Sequence, residues 1–194
     1  MYEVRSLELV LGGQRSGKSR CAESRAAAWL AGPGLTAVLI ATAQPGDLEM
    51  RARIERHRLD RSRALPALRT VEAPFDLAGA LRAQDDPDAL VIVDCLTLWL
   101  TNLLMPAAGP RVGDVEMSER SVALCDALRN ARGPVVLVSN EVGLGISPMT
   151  KEARLFVDEL GRLHQRIAAI CPSVTLMVAG LEIPVKRPAP SSES

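Results

Sequence analysis

The chain has 194 residues, of which 47% are hydrophobic and 24% charged, an ordinary globular balance for one domain with a substantial core. Its 23 Lys plus Arg equal its 23 Asp plus Glu, so no global field draws it to nucleic acid or to an anionic membrane. The four cysteines, Cys21, Cys95, Cys125 and Cys171, are scattered without a C-x-x-C pair, which argues against a zinc site.

The first residues, Met1–Arg5, lack a signal peptide's apolar core. The most apolar long stretch, Ala89–Leu104, contains Asp94 and Asn102 and is too short to span a bilayer. A reduced, cytoplasmic protein with no membrane span is expected.

Leu7–Leu11 is apolar rather than alternating and reads as a buried parallel strand, with Glu8 directed to an edge or a polar cluster. The stretch Gly12-Gly13-Gln14-Arg15-Ser16-Gly17-Lys18-Ser19 follows and matches G-x-x-x-x-G-K-[ST]. Glycines at both ends let successive backbone N–H groups turn inward around an anion. Lys18 can reach β- and γ-phosphate oxygens, and Ser19 can place its hydroxyl on Mg²⁺. A helix over 18–31 should follow, ending at the breaker Gly32-Pro33-Gly34.

Thr36–Ala41 is a second apolar strand, after which Thr42 and Gln44 are either ligand-lining residues or a plain polar turn. A helix from about Asp47, its N-cap, to about Leu59 is expected next. Residues 51–63 hold six arginines against two acids. This run reads as a solvated face, as a nucleic-acid patch that lacks interleaved aromatics, or as an element that neutralises phosphoryl charge. His57 lies within it, and like charge around it favours the neutral imidazole, which can act as nucleophile or base.

Arg69–Glu72 reads as a short strand, 76–84 as a helix, and Asp85-Asp86-Pro87-Asp88 as a turn. Leu90–Asp94 is an apolar strand ending in a carboxylate, placed either to support Mg²⁺ or to cap a helix. A helix over 96–104, a Pro/Gly loop over 106–113 and a helix over 115–129 follow. Val135–Ser139 is another buried strand, opening into a glycine-spaced loop in which Glu141 can orient a hydroxyl or a metal-bound water. A long helix over 150–170 and a final strand over 173–178 complete the pattern, with a Pro/Ser-rich tail at 188–194 expected to be disordered. Alternating strands and helices predict a mostly parallel sheet with helices on both faces, in one catalytic domain over 1–187.

Several separated strings together resemble the bifunctional adenosylcobinamide kinase/adenosylcobinamide-phosphate guanylyltransferases of cobalamin synthesis. They are GGQRSGKSR at 12–20, IATAQ at 40–44, EMRARIERHRLDR at 49–61, RTVE at 69–72, VDCLTLWLTNLL at 93–104 and SNEVGLGISP at 139–148, followed by Arg154, Phe156, Gly161, Arg162 and Gln165. The resemblance implies a RecA-like P-loop fold, often trimeric. It implies phosphorylation of adenosylcobinamide by ATP or GTP, then transfer of GMP from GTP through a guanylyl-histidine to adenosylcobinamide phosphate. By the R-I-x-x-H string that histidine is His57.

The implied nucleotide contacts are Gly12–Ser19, Thr42, Ala43, Gln44, Leu59, Asp60, Arg61, Ser62, Glu72 and Asp94, with Lys18 catalytic and Ser19 and Asp94 on Mg²⁺. Three positions depart from the family pattern: Ser62 stands where Pro is frequent, Leu68 where an aromatic is common, and His164 where Asn is common. His164 reads as a packing or surface residue. A plain small-molecule kinase and a RecA-like motor are the competing readings; only two Trp, one Tyr and two Phe are present to build a strand-binding surface.

Overall fold

The computed structural model describes residues 6–46 and 48–187, except for the side chains of residues 48–50, 53, 54 and 57. The cap expected at Asp47 and the tail expected at 188–194 lie outside the described residues.

Thirteen elements alternate along the described chain. They are β1 (Leu7–Gly12), α1 (Lys18–Leu30), β2 (Thr36–Ala41), α2 (Leu48–Ala64), β3 (Leu68–Glu72), α3 (Leu77–Ala83) and β4 (Ala89–Asp94). Then come α4 (Leu96–Leu104), α5 (Asp114–Arg129), β5 (Val135–Asn140), α6 (Lys151–Ile170), β6 (Ser173–Val178) and β7 (Leu181–Lys186). The strands form one sheet in the order β3-β2-β4-β5-β1-β6-β7, and every pairing is parallel except β6 with β7.

The apolar runs are continuous because both faces of the sheet are covered. Val10, Leu39, Ile92, Val136 and Val138 face Cys21, Ala22, Ala26 and Trp29 of α1. Their neighbours Leu9, Ile40, Val91, Val93 and Leu137 face the opposite way, into a core built by α3 to α6 around Trp99, Leu100, Leu124, Leu163 and Ile167. Both indoles satisfy their N–H groups on backbone carbonyls, Trp29 on Asp88 and Trp99 on Phe75.

Glu8 is buried in a polar cluster, as its place in an apolar strand requires. Arg25 donates to it from Nε at 3.0 Å and the Thr175 hydroxyl donates at 2.8 Å. Glu182 of β7 binds the same guanidinium and thereby ties the sheet's edge hairpin to α1.

Two expectations are corrected. The strand over 173–178 is not the last, since β7 runs back antiparallel through the two-residue turn Ala179-Gly180, both at positive φ. Pro184 lies within β7 and is tolerated there because an edge strand can turn a missing donor outward. Helix α2 continues to Ala64 rather than ending near Leu59, because nothing in Asp60–Ala64 breaks a helix before Pro66.

Candidate nucleotide site at the carboxyl edge of the sheet

Parallel strands all end on one side, and ligands of such sheets bind outside those ends. Gly12 sits level with Asn140, Ala41 with both Glu72 and Asp94, and Asp94 with Val138. With strands about 4.8 Å apart, Asp94 is two strands, or about 10 Å, from the start of the glycine loop.

The loop is shaped by its own backbone and by β6. Gly12 (φ +155°) has no room for a side chain: a Cβ there would lie 2.5 Å from the Met177 carbonyl oxygen. Gly17 (φ +101°) precedes α1 without any side-chain cap, leaving the first amides of that helix open to an anion. Arg15, at φ 55°, is a non-glycine residue in the left-handed region, a conformation that clusters at ligand sites. Gly13, Gln14 and Arg15 are exposed, whereas Ser16 and Lys18 are buried.

The Lys18 ammonium donates to the Gly13 carbonyl at 2.6 Å, so it is folded inside the loop. From outside, Gly180 in the β6–β7 turn donates its N–H to the Ser16 carbonyl at 3.0 Å. The edge hairpin thus braces the loop.

Ser19, in the first turn of α1, donates its hydroxyl to Asp94 Oδ2 at 3.2 Å. Arg61 of α2 approaches the same oxygen from Nη1 at 3.7 Å, and its Nε is buried without a hydrogen-bond partner. Glu23 completes this cluster; burial raises its carboxyl above the usual range, and Arg61 pulls it the other way. Sequence reading missed Glu23, though it lies one helical turn after Ser19 on the same face of α1.

A hydroxyl and a carboxylate are hard oxygen donors suited to Mg²⁺, which binds through one or two carboxylates plus substrate phosphates. Among the described residues no group of three or more His, Cys, Asp or Glu could hold a metal ion. Cys95 follows Asp94, but burial pushes its thiol up to about 12, so it stays protonated.

The other expected residues divide. Thr42 is fully buried; its hydroxyl donates to the Cys95 carbonyl at 2.7 Å and accepts from the Cys95 N–H at 2.9 Å. Its own carbonyl accepts from Asn102 Nδ2 at 2.7 Å, so Thr42 braces β2 against β4. Ala43 and Gln44 are half-buried beside it.

On α2, Leu59 and Asp60 are exposed, and the Ser62 hydroxyl caps the Leu59 carbonyl at 2.9 Å. Glu72 pairs with Arg58 at the sheet's far edge, four strands or about 19 Å from β1. His57 falls on α2, and its side chain lies outside the described part.

Beyond β5 a second polar group forms. His164 Nε2 is 2.8 Å from the buried Ser139 hydroxyl, which lies 3.0 Å from the Thr97 hydroxyl. Thr97 in turn accepts the Asn140 N–H at 2.7 Å. Glu141 donates its N–H to the Gly12 carbonyl at 3.0 Å, while its carboxylate accepts the Gly143 N–H at 2.6 Å. Burial lowers the His164 pKa, against a weaker pull from Glu141, whose Oε2 is 3.8 Å from Nδ1. Of the two expected places for His164, packing or surface, the structure shows the first: it is buried and hydrogen-bonded.

A glycine loop of this form on the first strand of a parallel sheet, with an acid on a strand two places away, defines a P-loop nucleotide-binding protein. Solved structures agree on the fold. The flagellar accessory protein FlaH from Methanocaldococcus jannaschii superposes with a TM-score of 0.54 at 11% identity, over 94% of this chain and 79% of that one. The KaiC-like protein PH0186 from Pyrococcus horikoshii OT3 gives a TM-score of 0.51 at 12% identity, over 88% of this chain and 70% of that one. The fold is RecA-like.

The profile of the family described as cobinamide kinase / cobinamide phosphate guanyltransferase matches residues 8–185, and the chain belongs to that family. The bifunctional adenosylcobalamin biosynthesis protein CobP of Pseudomonas aeruginosa is 48% identical over 92% of this chain and 96% of its own. The proteins of the same description named CobU are 39% identical in Escherichia coli and 40% in Salmonella typhimurium, each over 92% of this chain and 98% of the relative.

Proposed function

We infer that the protein phosphorylates the aminopropanol hydroxyl of adenosylcobinamide with ATP or GTP, then transfers GMP from GTP to the resulting phosphate to give adenosylcobinamide-GDP. The observation that carries this reading is the phosphate loop with its Ser19–Asp94 pair, set in a chain whose family match extends from β1 into β7.

In the kinase step the Gly12–Ser19 loop and Lys18 hold the triphosphate, and Glu141 orients the acceptor hydroxyl. The hydroxyl oxygen attacks the γ-phosphorus, the bond to the bridging oxygen breaks, the nucleoside diphosphate leaves, and the hydroxyl proton is released to water. In the second reaction a neutral His57 nitrogen attacks the α-phosphorus of GTP and pyrophosphate leaves; an oxygen of adenosylcobinamide phosphate then takes the guanylyl group and frees the histidine. The arginines of α2 favour the neutral ring and stabilise charge on the group in transfer. Ala43, Gln44, Leu59, Asp60, Ser62 and Glu72 are assigned to the nucleotide on the same reading.

Ser19 and Asp94 would hold Mg²⁺, which supplies charge neutralisation on the phosphate oxygens. A homotrimer acting in the cytoplasm completes the proposal; no helix among the described residues is long and apolar enough to cross a membrane.

Incubation with adenosylcobinamide, ATP and GTP, followed by chromatography of the corrinoids, tests the reading. The phosphate and then the GDP derivative should accumulate, and Lys18→Ala should slow the first step by about a hundredfold or more. Phosphate formation without any GDP derivative would reduce the protein to a small-molecule kinase.

A further inference from the structure

The nucleotide half of the site lies over the face of the sheet that α1 covers, where α2 brings Arg61 to Asp94. On the opposite face a cleft of about 330 Å³ opens between α4 and the first turns of α6. Thr97, Thr101, Met105, Val142, Phe156 and Val157 line it. Its walls are apolar apart from Thr97 and Thr101 of α4, and the Thr97 hydroxyl is already bonded to Ser139 and to the Asn140 N–H. Thr101 donates its own proton to the Thr97 carbonyl at 2.9 Å, which leaves lone pairs for an incoming N–H.

Two features link this cleft to the phosphate loop. Thr97 in its wall accepts the N–H of Asn140, which is level with Gly12. Val142 follows Glu141, whose N–H is bonded to the Gly12 carbonyl. The cleft therefore leads to the loop through Asn140 and Glu141.

A separate observation concerns its rim. Leu144, Ile146 and Met149, on the loop that follows Val142, are 82%, 99% and 95% exposed. Three large apolar side chains exposed within six residues of the chain, on the loop that leaves the cleft wall at Val142, are the pattern expected of a binding surface. Gly143 and Gly145 in the same loop allow it to fold over an occupant.

We propose that this cleft is the acceptor subsite: it takes the methyl-bearing edge of the corrin ring, with the loop 142–149 closing on the ring's apolar face and the hydroxyl arm directed to Glu141. The inference rests on the functional reading above. The volume is at the lower end for ligand pockets, which suits the edge of a macrocycle rather than the whole of it. The acceptor must also approach the terminal phosphate from the side that the nucleotide does not fill.

The test uses the full chain carrying Ala153→Trp, which fills the cleft from α6, and in parallel Ile146→Ser, which removes the most exposed side chain of the rim. Steady-state kinetics with ATP and adenosylcobinamide should show the acceptor KM raised on the order of tenfold or more in both variants. The KM for ATP should stay within about twofold, which also shows that each variant is folded.

If wild-type protein phosphorylates adenosylcobinamide while both variants keep its acceptor KM, the subsite is elsewhere and the functional reading stands. If wild-type protein does not act on adenosylcobinamide, the functional reading falls and the inference with it. A change in assembly mass by light scattering, with the acceptor KM unmoved, would assign the rim to contact with a second copy of the chain and overturn the proposal. Should Ala153→Trp fail to fold, Ile146→Ser alone decides, because its side chain packs against nothing that the fold requires.

Discussion

Gly12→Ala and Gly180→Ala form a pair that isolates what the phosphate loop requires of its neighbours. Gly180 has φ +82° and open space around an added Cβ, so alanine there costs backbone strain alone, about 1–2 kcal/mol. For a chain of this size that is a fall in Tm of roughly 2–8 °C. Its N–H still reaches the Ser16 carbonyl, so nucleotide affinity should change little. Gly12 carries a comparable penalty from φ +155° and adds a collision, because its Cβ would lie 2.5 Å from the Met177 carbonyl oxygen and 2.6 Å from the Ser16 hydroxyl. The serine can rotate, whereas the carbonyl belongs to the β6 backbone paired with β1.

Relieving that contact means moving β1 or the loop, at about 1–3 kcal/mol beyond the strain term. Gly12→Ala should therefore lose about 2–5 kcal/mol in urea unfolding. It should also weaken binding of a fluorescent GTP analogue by about tenfold or more, since displaced amides no longer converge on the phosphates. Equal losses of stability and of affinity in the two variants would show that the β6 backbone does not set the loop's shape.

Two further outcomes follow from the site's chemistry. Asp94→Asn keeps an acceptor for the Ser19 hydroxyl but removes the charge, so the Mg²⁺ concentration for half-maximal kinase activity should rise by about tenfold or more; an unchanged metal requirement would remove Asp94 from the ion's ligands. His164 is held neutral by burial, below its ordinary value of 6.5. Above that pH the ring is neutral folded and unfolded alike and contributes no pH dependence. As pH falls below it the unfolded chain takes up a proton that the folded state refuses, so stability drops until the folded pKa is reached. His164→Asn should thus show a smaller difference in urea midpoint between about pH 7.5 and about pH 5 than the parent protein, and an equal or larger one would contradict the burial argument.

The legible parts of the fold were those with one dominant local signal. β2, α4 and β6 occupy the expected residues because apolar runs with clear breakers leave a single reading. The glycine loop announced itself by spacing alone. β7 was hidden because Pro184 argues against a strand until the strand is known to be an edge, and edge position depends on a turn set by positive φ at Ala179 and Gly180.

Within the site, Asp94 could be read from its place at a strand end, but its partner Arg61 arrives from 33 residues away along a helix whose reach a sequence does not give. Thr42 shows the converse. Its position at the end of β2 leaves it either ligand-lining or part of a plain polar turn, and both its hydroxyl and its carbonyl are engaged in bracing β4 and α4. Position in a topology identifies which residues stand at an edge, and hydrogen bonding decides which of them remain available there.

A covalent guanylyl group carried by His57 is the central claim of the proposed function. The direct measurement is to incubate the protein with GTP labelled in its α-phosphate and Mg²⁺, denature it, and follow label bound to the chain in wild type and in His57→Ala. A phosphoramidate predicts label that is lost in acid, stable in alkali and missing from the variant. Label that persists in His57→Ala, or none in wild-type protein that converts adenosylcobinamide phosphate to the GDP derivative, would contradict it.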